Sequence, residues 1–183
     1  MNFILASKSK IRKEILEENN FNFKVVPSNV DEDQVKDSLL AAGANPMLVS
    51  KNLAELKSTK VSNKYPDQMV LGADSVISLN NELINKPNSR EEALEILKKL
   101  NGSTHFLITS VCIAKNGAMI WNCTDQSELK MKKLLDDDLA AYLKKIDTKI
   151  LLSYGVYQIE AGGLDLFESI KGDRSSIMGL PIK

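Results

Sequence analysis

The stretch from Met69 to Pro87 constrains the fold more than any other part of the chain. It reads MVLGADSVISLNNELINKP, an apolar run rich in β-branched residues that closes at the asparagine pair 80–81. A run of this length and composition predicts a buried strand that enters a hairpin. The chain then returns through Glu82 to Lys86, so we expect the hairpin to carry a cation back towards the strand.

Asp74 lies in the middle of this apolar run. A lone carboxylate inside a buried strand is costly unless it is paired, bound to a metal or protonated. One interpretation is that Asp74 caps a turn after Gly72, since Asp is common beside Gly in turns. The other is a carboxylate held rigidly at a cleft, where it would act on a bound molecule.

The first residues predict a strand, a serine turn and a cationic helix. Residues 3–6 are apolar, residues 7–9 contain two serines, and lysine and arginine then precede the glutamates of the helix. This order of charges opposes the helix dipole, and a bound anion at the helix N-terminus would remove the conflict. We therefore predict a phosphate site that uses Ser7 and Arg12, and simple solvation for Lys13.

An acidic cluster follows the second predicted strand, which covers residues 21–26. The cluster is Val30 to Asp33, VDED, and it begins a predicted short helix over residues 31–42. Asp31 or Asp33 would cap that helix. Alternatively, a carboxylate of the cluster would bind a hard divalent cation, which prefers oxygen ligands. The spacing leaves both interpretations open.

Pro46 begins a longer helix, at a position where its missing N–H has no cost. Lys51 and Lys57 lie elsewhere on this helix, and on the pattern alone we expect solvated lysines. The buried face is predicted to contain five apolar residues, Leu48, Val49, Leu53, Leu56 and Val61.

The second half of the chain predicts a helix and a long hairpin. Ser89 and Glu92 form a capping-box pattern before an apolar stripe, and the pair 101–102 predicts the left-handed end of that helix. A strand over residues 104–114, a two-residue turn and an antiparallel partner follow. His105 in this strand is predicted to be structural rather than catalytic.

The last third is rich in glycine and tyrosine. Residues 154–159 read YGVYQI, and a glycine pair and a predicted strand over residues 164–170 follow. Gln158 offers both a hydrogen-bond donor and an acceptor. The segment is either a loop-rich sheet edge or the wall of a nucleotide pocket in which Gln158 contacts a base edge.

The charge balance argues against partners that bind through bulk electrostatics. Lys+Arg and Asp+Glu are 24 each, which gives a formal net charge of +0. Neither nucleic acid nor an anionic membrane is therefore an expected partner. Two cysteines and one histidine do not suggest a zinc site. No run approaches the roughly 20 apolar residues of a membrane span, so we expect a soluble cytoplasmic protein.

Five blocks of the chain together resemble the Maf family, the septum-formation-protein-like nucleoside triphosphate pyrophosphatases. The blocks are ILASKSKIRKEIL, VDED, GADSVISLNNELINKP, LNGSTHFLITSV and YGVYQIEAGG…IKGDRSSIMGLP, in family order. The resemblance implies an α/β fold with a mixed, partly antiparallel sheet flanked by helices, similar to inosine triphosphatases. It also implies two lobes around a central cleft, formed by a single Maf-like domain over residues 1–183, and a homodimer.

One block departs from the family pattern. Where the family usually has Ser-Pro-Arg-Arg, this chain has Ser-Lys-Ile-Arg, so Ile11 replaces the first arginine and Arg12 retains the second. In the family the first arginine position is associated with base choice, as are the positions of Ser75 and Gln158. Ser75 and Gln158 resemble the pyrimidine-preferring type and Ile11 does not, which leaves the preferred base open.

The resemblance implies roles for the residues that match the family motifs. Asp74 is implied as the proton acceptor, and Asp74, Glu32 and Lys86 as the catalytic group. Glu32 and Asp74 could also hold a divalent cation, Mg²⁺ or Mn²⁺, so the choice between base and metal ligand stays open for Asp74. The residues implied in handling the triphosphate and metal are Ser7, Arg12, Glu32, Lys57 and Lys86.

The expected reaction is the hydrolysis of a standard or modified nucleoside triphosphate to the monophosphate and pyrophosphate, which would fit a house-cleaning role. Such a site needs cations over the phosphates, a bridging metal and a base that orients water. One alternative is a catalytically weak nucleotide-binding regulatory protein linked to division arrest. Another is a metal-dependent phosphatase, which would release orthophosphate. The absence of a G-x-x-x-x-G-K-[ST] motif disfavours a P-loop ATPase.

Overall fold

The computed structural model describes residues 2–157, 159 and 162–182. The strands are β1 (Asn2–Leu5), β2 (Asn22–Val25), β3 (Val70–Leu79), β4 (Glu82–Ile84), β5 (Thr104–Lys115), β6 (Ala118–Met131) and β7 (Phe167–Lys171). The helices are α1 (Lys10–Glu18), α2 (Glu32–Ala41), α3 (Pro46–Ser62), α4 (Arg90–Leu100), α5 (Asp136–Lys144), α6 (Thr148–Tyr154) and α7 (Arg174–Ile177), with a short 3₁₀ helix at Gly163–Leu166.

Within the described residues, the strands form a seven-stranded sheet in the order β2-β1-β3-β5-β6-β7, with β4 paired to β3 outside this path. β1 is parallel to both β2 and β3, whereas β4 and β7 are antiparallel to their neighbours. The predicted mixed, partly antiparallel α/β fold is therefore confirmed. The central cleft and the single domain over residues 1–183 stay predictions.

The chain divides into two compact units. The first comprises Met1–Val76, Ile108–Gln126 and Asp173–Lys183, and the second comprises Ile77–Leu107 and Ser127–Gly172. In the first unit, α1 packs its buried Ile15 and Leu16 into an apolar cluster with residues of β1, β3 and β5. The second unit has its own larger apolar cluster, in which the buried faces of α4 and α5 take part.

The predicted central hairpin is present. Asn80 and Asn81 form its two-residue turn with positive φ at both positions, 52° and 64°, and Leu79 pairs with Glu82. Positive φ at both central residues matches the right-handed twist of the strands, and asparagine tolerates this conformation better than most residues. The predicted turn at residues 116–117 has the same form.

Two expectations for buried faces and strand ends were wrong. Leu48 and Leu56 are exposed on α3, by 47% and 38% respectively. The helix instead buries a stripe that includes small residues such as Ser50, Ala54 and Ser58, because its backbone lies close to the neighbouring strand. The predicted strand over residues 164–170 begins only at β7, since the residues before it form the 3₁₀ helix.

Two helices, α6 and α7, were not predicted from the sequence. Among the described helices, none has both the length and the apolar character that crossing a membrane requires.

Candidate active site

Asp74 lies in the middle of β3 and is 4% exposed. Because Gly72 and Asp74 are both within this strand, the interpretation of Asp74 as a turn cap was wrong. The hydroxyl of Ser50 on α3 donates to the backbone oxygen of Asp74 at 3.1 Å, which ties the strand to the helix at this point. The carboxylate is thus fixed in a buried position, where it needs a charged or polar partner.

Lys57 supplies that partner. Its Nζ donates to Oδ1 of Asp74 at 2.7 Å and lies 2.7 Å from Oε1 of Glu32. Lys57 is only 6% exposed, so the expectation of a solvated lysine was wrong for this residue. The exposed Lys51 on the same helix agrees with that expectation. A buried ammonium between two carboxylates is a compact charged centre, and its geometry depends on how α3 packs on β3.

Gly72 sets the distance between α3 and β3. A Cβ atom at this position would lie 2.4 Å from the backbone oxygen of Ala54 and 2.7 Å from the backbone nitrogen of Ser58. Only glycine permits this approach of strand to helix. The approach places Lys57, one helical position before Ser58, within reach of Asp74, two strand positions after Gly72.

Two neighbouring residues of the acidic cluster make different contacts. Asp31 is the N-cap of α2, and its Oδ1 accepts a hydrogen bond from the backbone N–H of Gln34 at 3.1 Å. Glu32 is the first residue of α2, and its carboxylate reaches Lys57. The capping interpretation is therefore confirmed for Asp31, while Glu32 belongs to the charged centre.

Arg12 joins three segments of the first unit. Its Nε donates to the backbone oxygen of Gly179 at 2.8 Å, and its Nη1 donates to the backbone oxygen of Ala73 at 2.9 Å. Nη1 also donates to Oγ of Ser7 at 3.4 Å, and Nη2 donates to Oγ of Ser75 at 3.2 Å. The planar guanidinium thus positions the turn after β1, the strand of Asp74 and the turn after α7.

The charge on Arg12 is influenced by its surroundings. Burial lowers the pKa of the Arg12 guanidinium from its usual value, and the nearby carboxylates of Asp74 and Glu32 act in the opposite direction. The predicted phosphate-handling residues Ser7 and Arg12 therefore lie in the same neighbourhood as the predicted catalytic carboxylates.

A chain of hydroxyl groups fixes the orientation of Ser75. Thr109 on β5 donates its hydroxyl proton to the backbone oxygen of Ser176 at 2.9 Å. Since a hydroxyl has one proton, Oγ of Ser75, 3.0 Å from Oγ1 of Thr109, must donate in that contact. Ser75 is then left to accept from Arg12. Thr109 was not predicted as a site residue, although a buried threonine within an apolar strand is a signal for such a contact.

Ile11 does not take part in this polar network. It packs against the apolar cluster that contains Ile15 and Leu16, so the residue that replaces the family's first arginine contributes to the packing of α1. The N-cap of α1 is Ser9, whose Oγ accepts from the backbone N–H of Arg12 at 3.3 Å. Lys13 is exposed and lies 3.4 Å from Glu17, in agreement with its expected solvation.

Two further predicted site residues lie in the second unit or outside the described residues. Lys86 is exposed in the loop after β4 and belongs to the second unit. Its catalytic and triphosphate-binding roles stay predictions. Gln158 lies outside the described residues, and its contact with a base stays a prediction as well.

The carboxylates fit a hard divalent cation. Oδ2 of Asp74 is buried and has no hydrogen-bond partner within the described part of the chain. An orphaned carboxylate oxygen beside Glu32 is the kind of ligand that Mg²⁺ or Mn²⁺ prefers. Groups of three or more His, Cys, Asp or Glu suited to a metal are not found among the described residues.

His105 is a structural residue, as predicted. It is fully buried, and its Nε2 lies 2.9 Å from the hydroxyl of Tyr157. Burial lowers the pKa of His105 to about 4, so the ring is neutral at physiological pH. His105, Tyr157 and Phe167 form an aromatic group inside the second unit.

Comparison with known proteins gives a family match over nearly the whole chain. The model of the family described as Maf-like protein matches residues 2–183. A nucleoside triphosphate pyrophosphatase of Pelagibacter ubique is 60% identical over 180 residues, covering 98% of this chain and 92% of that protein. A 7-methyl-GTP pyrophosphatase of Rhizobium etli is 36% identical over 179 residues, covering 98% and 90%.

Among solved structures, a HAM1 protein from Coxiella burnetii aligns with a TM-score of 0.46 and 15% identity, covering 72% of this chain and 73% of that chain. A likeness this low adds nothing to the fold as described above.

Proposed function

The chain belongs to the Maf family, and from that premise we infer that it is a nucleoside triphosphate pyrophosphatase. It hydrolyses a nucleoside triphosphate to the monophosphate and pyrophosphate, which makes it a hydrolase of acid anhydrides. The observation that carries this inference is the buried carboxylate of Asp74, held by Lys57 in the neighbourhood of Arg12. These residues provide one negative group for the water and two positive groups for the phosphates.

Asp74 is proposed to accept the proton of the attacking water. Its Oδ1 is bonded to Lys57, whereas Oδ2 has no hydrogen-bond partner among the described residues. Oδ2 is therefore the oxygen that can orient water. A base held in this way contributes typically 10²–10⁴-fold to the rate. Arg12 and the N-terminus of α1 supply positive charge to phosphate oxygens, as does Lys86 in this proposal.

Glu32 and Asp74 are proposed to hold a divalent cation, Mg²⁺ or Mn²⁺. The orphaned oxygen of Asp74 and the carboxylate chemistry of the pair support this choice. When bound, the cation would act as a Lewis acid on the phosphate oxygens. Both roles use Oδ2 of Asp74, so Asp74 is proposed either as the base that orients water or as a ligand of the cation beside Glu32, and Arg12 neutralises phosphate charge in both cases.

The preferred base of the substrate stays open, because the named relatives differ in their substrates. The relatives are named for nucleoside triphosphates in general and for 7-methyl-GTP. Ser75 is held by Arg12 and Thr109, while Ile11 packs into the apolar cluster of α1. A pyrophosphate-release screen over standard and modified nucleoside triphosphates, with Mg²⁺ and with Mn²⁺, identifies the preferred base.

The same assay tests the proposed function. We expect pyrophosphate and a nucleoside monophosphate as products, and no release without a divalent cation. Orthophosphate in place of pyrophosphate would instead indicate a phosphatase. Nucleotide binding without turnover would favour a regulatory protein. The presence of Ile11 in place of the family's arginine is the reason for this alternative.

We also propose a cytoplasmic homodimer that does not bind nucleic acid. The formal net charge of +0 supports the absence of a nucleic-acid partner.

For the dimer, residues 118–124 of β6 carry no charged side chain, so two copies can meet there without like-charge repulsion. The large apolar side chains exposed on this stretch are Met119, Ile120 and Trp121. Light scattering after size-exclusion chromatography tests the dimer, and Trp121→Lys would disrupt it.

A further inference from the structure

The ammonium of Lys57 occupies carboxylate oxygens that a divalent cation would use. We propose that Lys57 holds Glu32 and Asp74 together in the metal-free protein and competes with the cation for them. This proposal rests on the proposed function only in assigning the cation to these two carboxylates.

The geometry makes Lys57 a bridge between the two acids. Its Nζ is 2.7 Å from Oε1 of Glu32 and 2.7 Å from Oδ1 of Asp74. The two oxygens can be no farther apart than twice that distance. Lys57 therefore fixes the spacing of the carboxylates and compensates their charge, which is costly to bury alone.

The position of Lys57 is determined by the fold. Its helix, α3, approaches β3 so closely at Gly72 that no side chain would fit between them. The stem of Lys57 is consequently buried, and the ammonium is delivered to Asp74 from inside the protein. The ammonium of an exposed lysine moves into solvent at little cost. The ammonium of Lys57 loses two strong charge-assisted hydrogen bonds when it moves.

An ammonium and a divalent cation repel each other strongly where water is excluded. They cannot both keep full contact with the same carboxylate oxygen. Cation binding therefore requires Lys57 to withdraw from Asp74. The orphaned Oδ2 of Asp74 offers a first contact before that withdrawal. The displaced ammonium then becomes available to phosphate oxygens, so Lys57 links cation entry to the binding of the triphosphate.

The test is Mn²⁺ affinity without nucleotide, measured on the full chain from the electron paramagnetic resonance signal of free Mn²⁺. Lys57→Met removes the ammonium and keeps the length of the side chain. We expect its dissociation constant for Mn²⁺ to be at least about tenfold lower than that of the wild type, because the competing charge is gone. Lys51→Met, on the same helix at an exposed position, is the matched control and should leave the affinity unchanged.

Equal or weaker Mn²⁺ binding by Lys57→Met would overturn the proposal, and so would an equal gain in Lys51→Met. If no protein of the set binds Mn²⁺, the proposal is also overturned. Pyrophosphate release by the wild type, measured in parallel, reports on the proposed function separately. If the wild type releases pyrophosphate while Lys57→Met binds Mn²⁺ with unchanged affinity, the proposed function stands. Only the competition between Lys57 and the cation is then excluded.

A second measurement uses the wild type, in case Lys57→Met does not fold. Nitrogen NMR of lysine side chains detects a buried, hydrogen-bonded ammonium by its slow hydrogen exchange, and Lys57→Arg assigns the signal. Titration with diamagnetic Mg²⁺ should shift the Lys57 resonance and speed its exchange. A resonance that stays unchanged at saturating Mg²⁺ would overturn the proposal.

Discussion

A methyl group on Gly72 would lie 2.4 Å from the carbonyl oxygen of Ala54. The obstacle is backbone, so no rotation of a side chain can make room. The strand that carries Asp74 and the helix that carries Lys57 therefore touch at their main chains. The buried ion pair between these two residues is a consequence of that contact.

We expect Gly72→Ala to separate α3 from β3. Overpacking of a well-filled core typically costs about 1–3 kcal/mol, and here the shift also lengthens the contact between Lys57 and Asp74. Urea unfolding should show the lower stability, and pyrophosphate release per folded molecule should fall. A variant with wild-type stability and activity would show that the helix tolerates the methyl group.

We expect Asp74→Asn to remove turnover and to leave the fold intact. Asparagine has nearly the same shape but cannot take a proton from water, so kcat should fall about 10²–10⁴-fold. The readout is pyrophosphate release, with circular dichroism as the check on folding. Asp67→Asn, at an exposed position, is the matched control. Activity equal to the parent in Asp74→Asn would exclude Asp74 from the mechanism.

We expect Arg12→Lys to be damaging although the charge is kept. Lysine lacks the planar fork that reaches Gly179, Ala73 and Ser75 together. Stability should fall by about 1–3 kcal/mol, as for lost hydrogen bonds to a charged group. The value of kcat/KM should fall by orders of magnitude. Lys13→Ala, on the same helix, should change stability by no more than about 0.5 kcal/mol. Wild-type kinetics in Arg12→Lys would contradict this assignment.

We expect His105 to make the stability of the protein sensitive to acid. Burial lowers its pKa in the folded protein to about 4, from the ordinary value of 6.5. Between these values the unfolded chain binds more protons, so the free energy of unfolding falls as the pH is lowered through this window. The contribution is complete above pH 6.5 and changes by up to about 1.4 kcal/mol per pH unit below it.

The measurement for His105 is urea unfolding between pH 4 and pH 7, a range that spans the two pKa values. Carboxylates also titrate there, so the informative quantity is the difference between the wild type and His105→Gln, whose side chain does not titrate. That difference should depend on pH in the stated direction. A constant difference would mean that His105 is protonated equally in both states.

The sequence predicted the elements near the site better than it predicted their contacts. The apolar run around Asp74 and the asparagine turn after it depend on local chemistry, and both were identified. Lys57 was expected in solvent because the apolar pattern of α3 pointed to Leu48 and Leu56. The true buried face is set by the backbone contact at Gly72, which is a property of two distant segments.

The contacts of Arg12 were missed for a similar reason. The serine turn and the cationic helix indicated a phosphate site, but nothing local indicates that the guanidinium would bond to Gly179, 167 positions away. Thr109 and Ser176 come from other segments again and join the network only through folding. A single sequence contains no direct signal for such pairings.

The bond between Arg12 and Gly179 has a consequence for how the protein is made in a cell. The first unit needs residues 173–183 as well as residues 1–76, so a nascent chain on the ribosome has Asp74 and Arg12 long before Gly179, the last partner of Arg12, exists. The site can therefore reach its final form only after translation has passed Gly179.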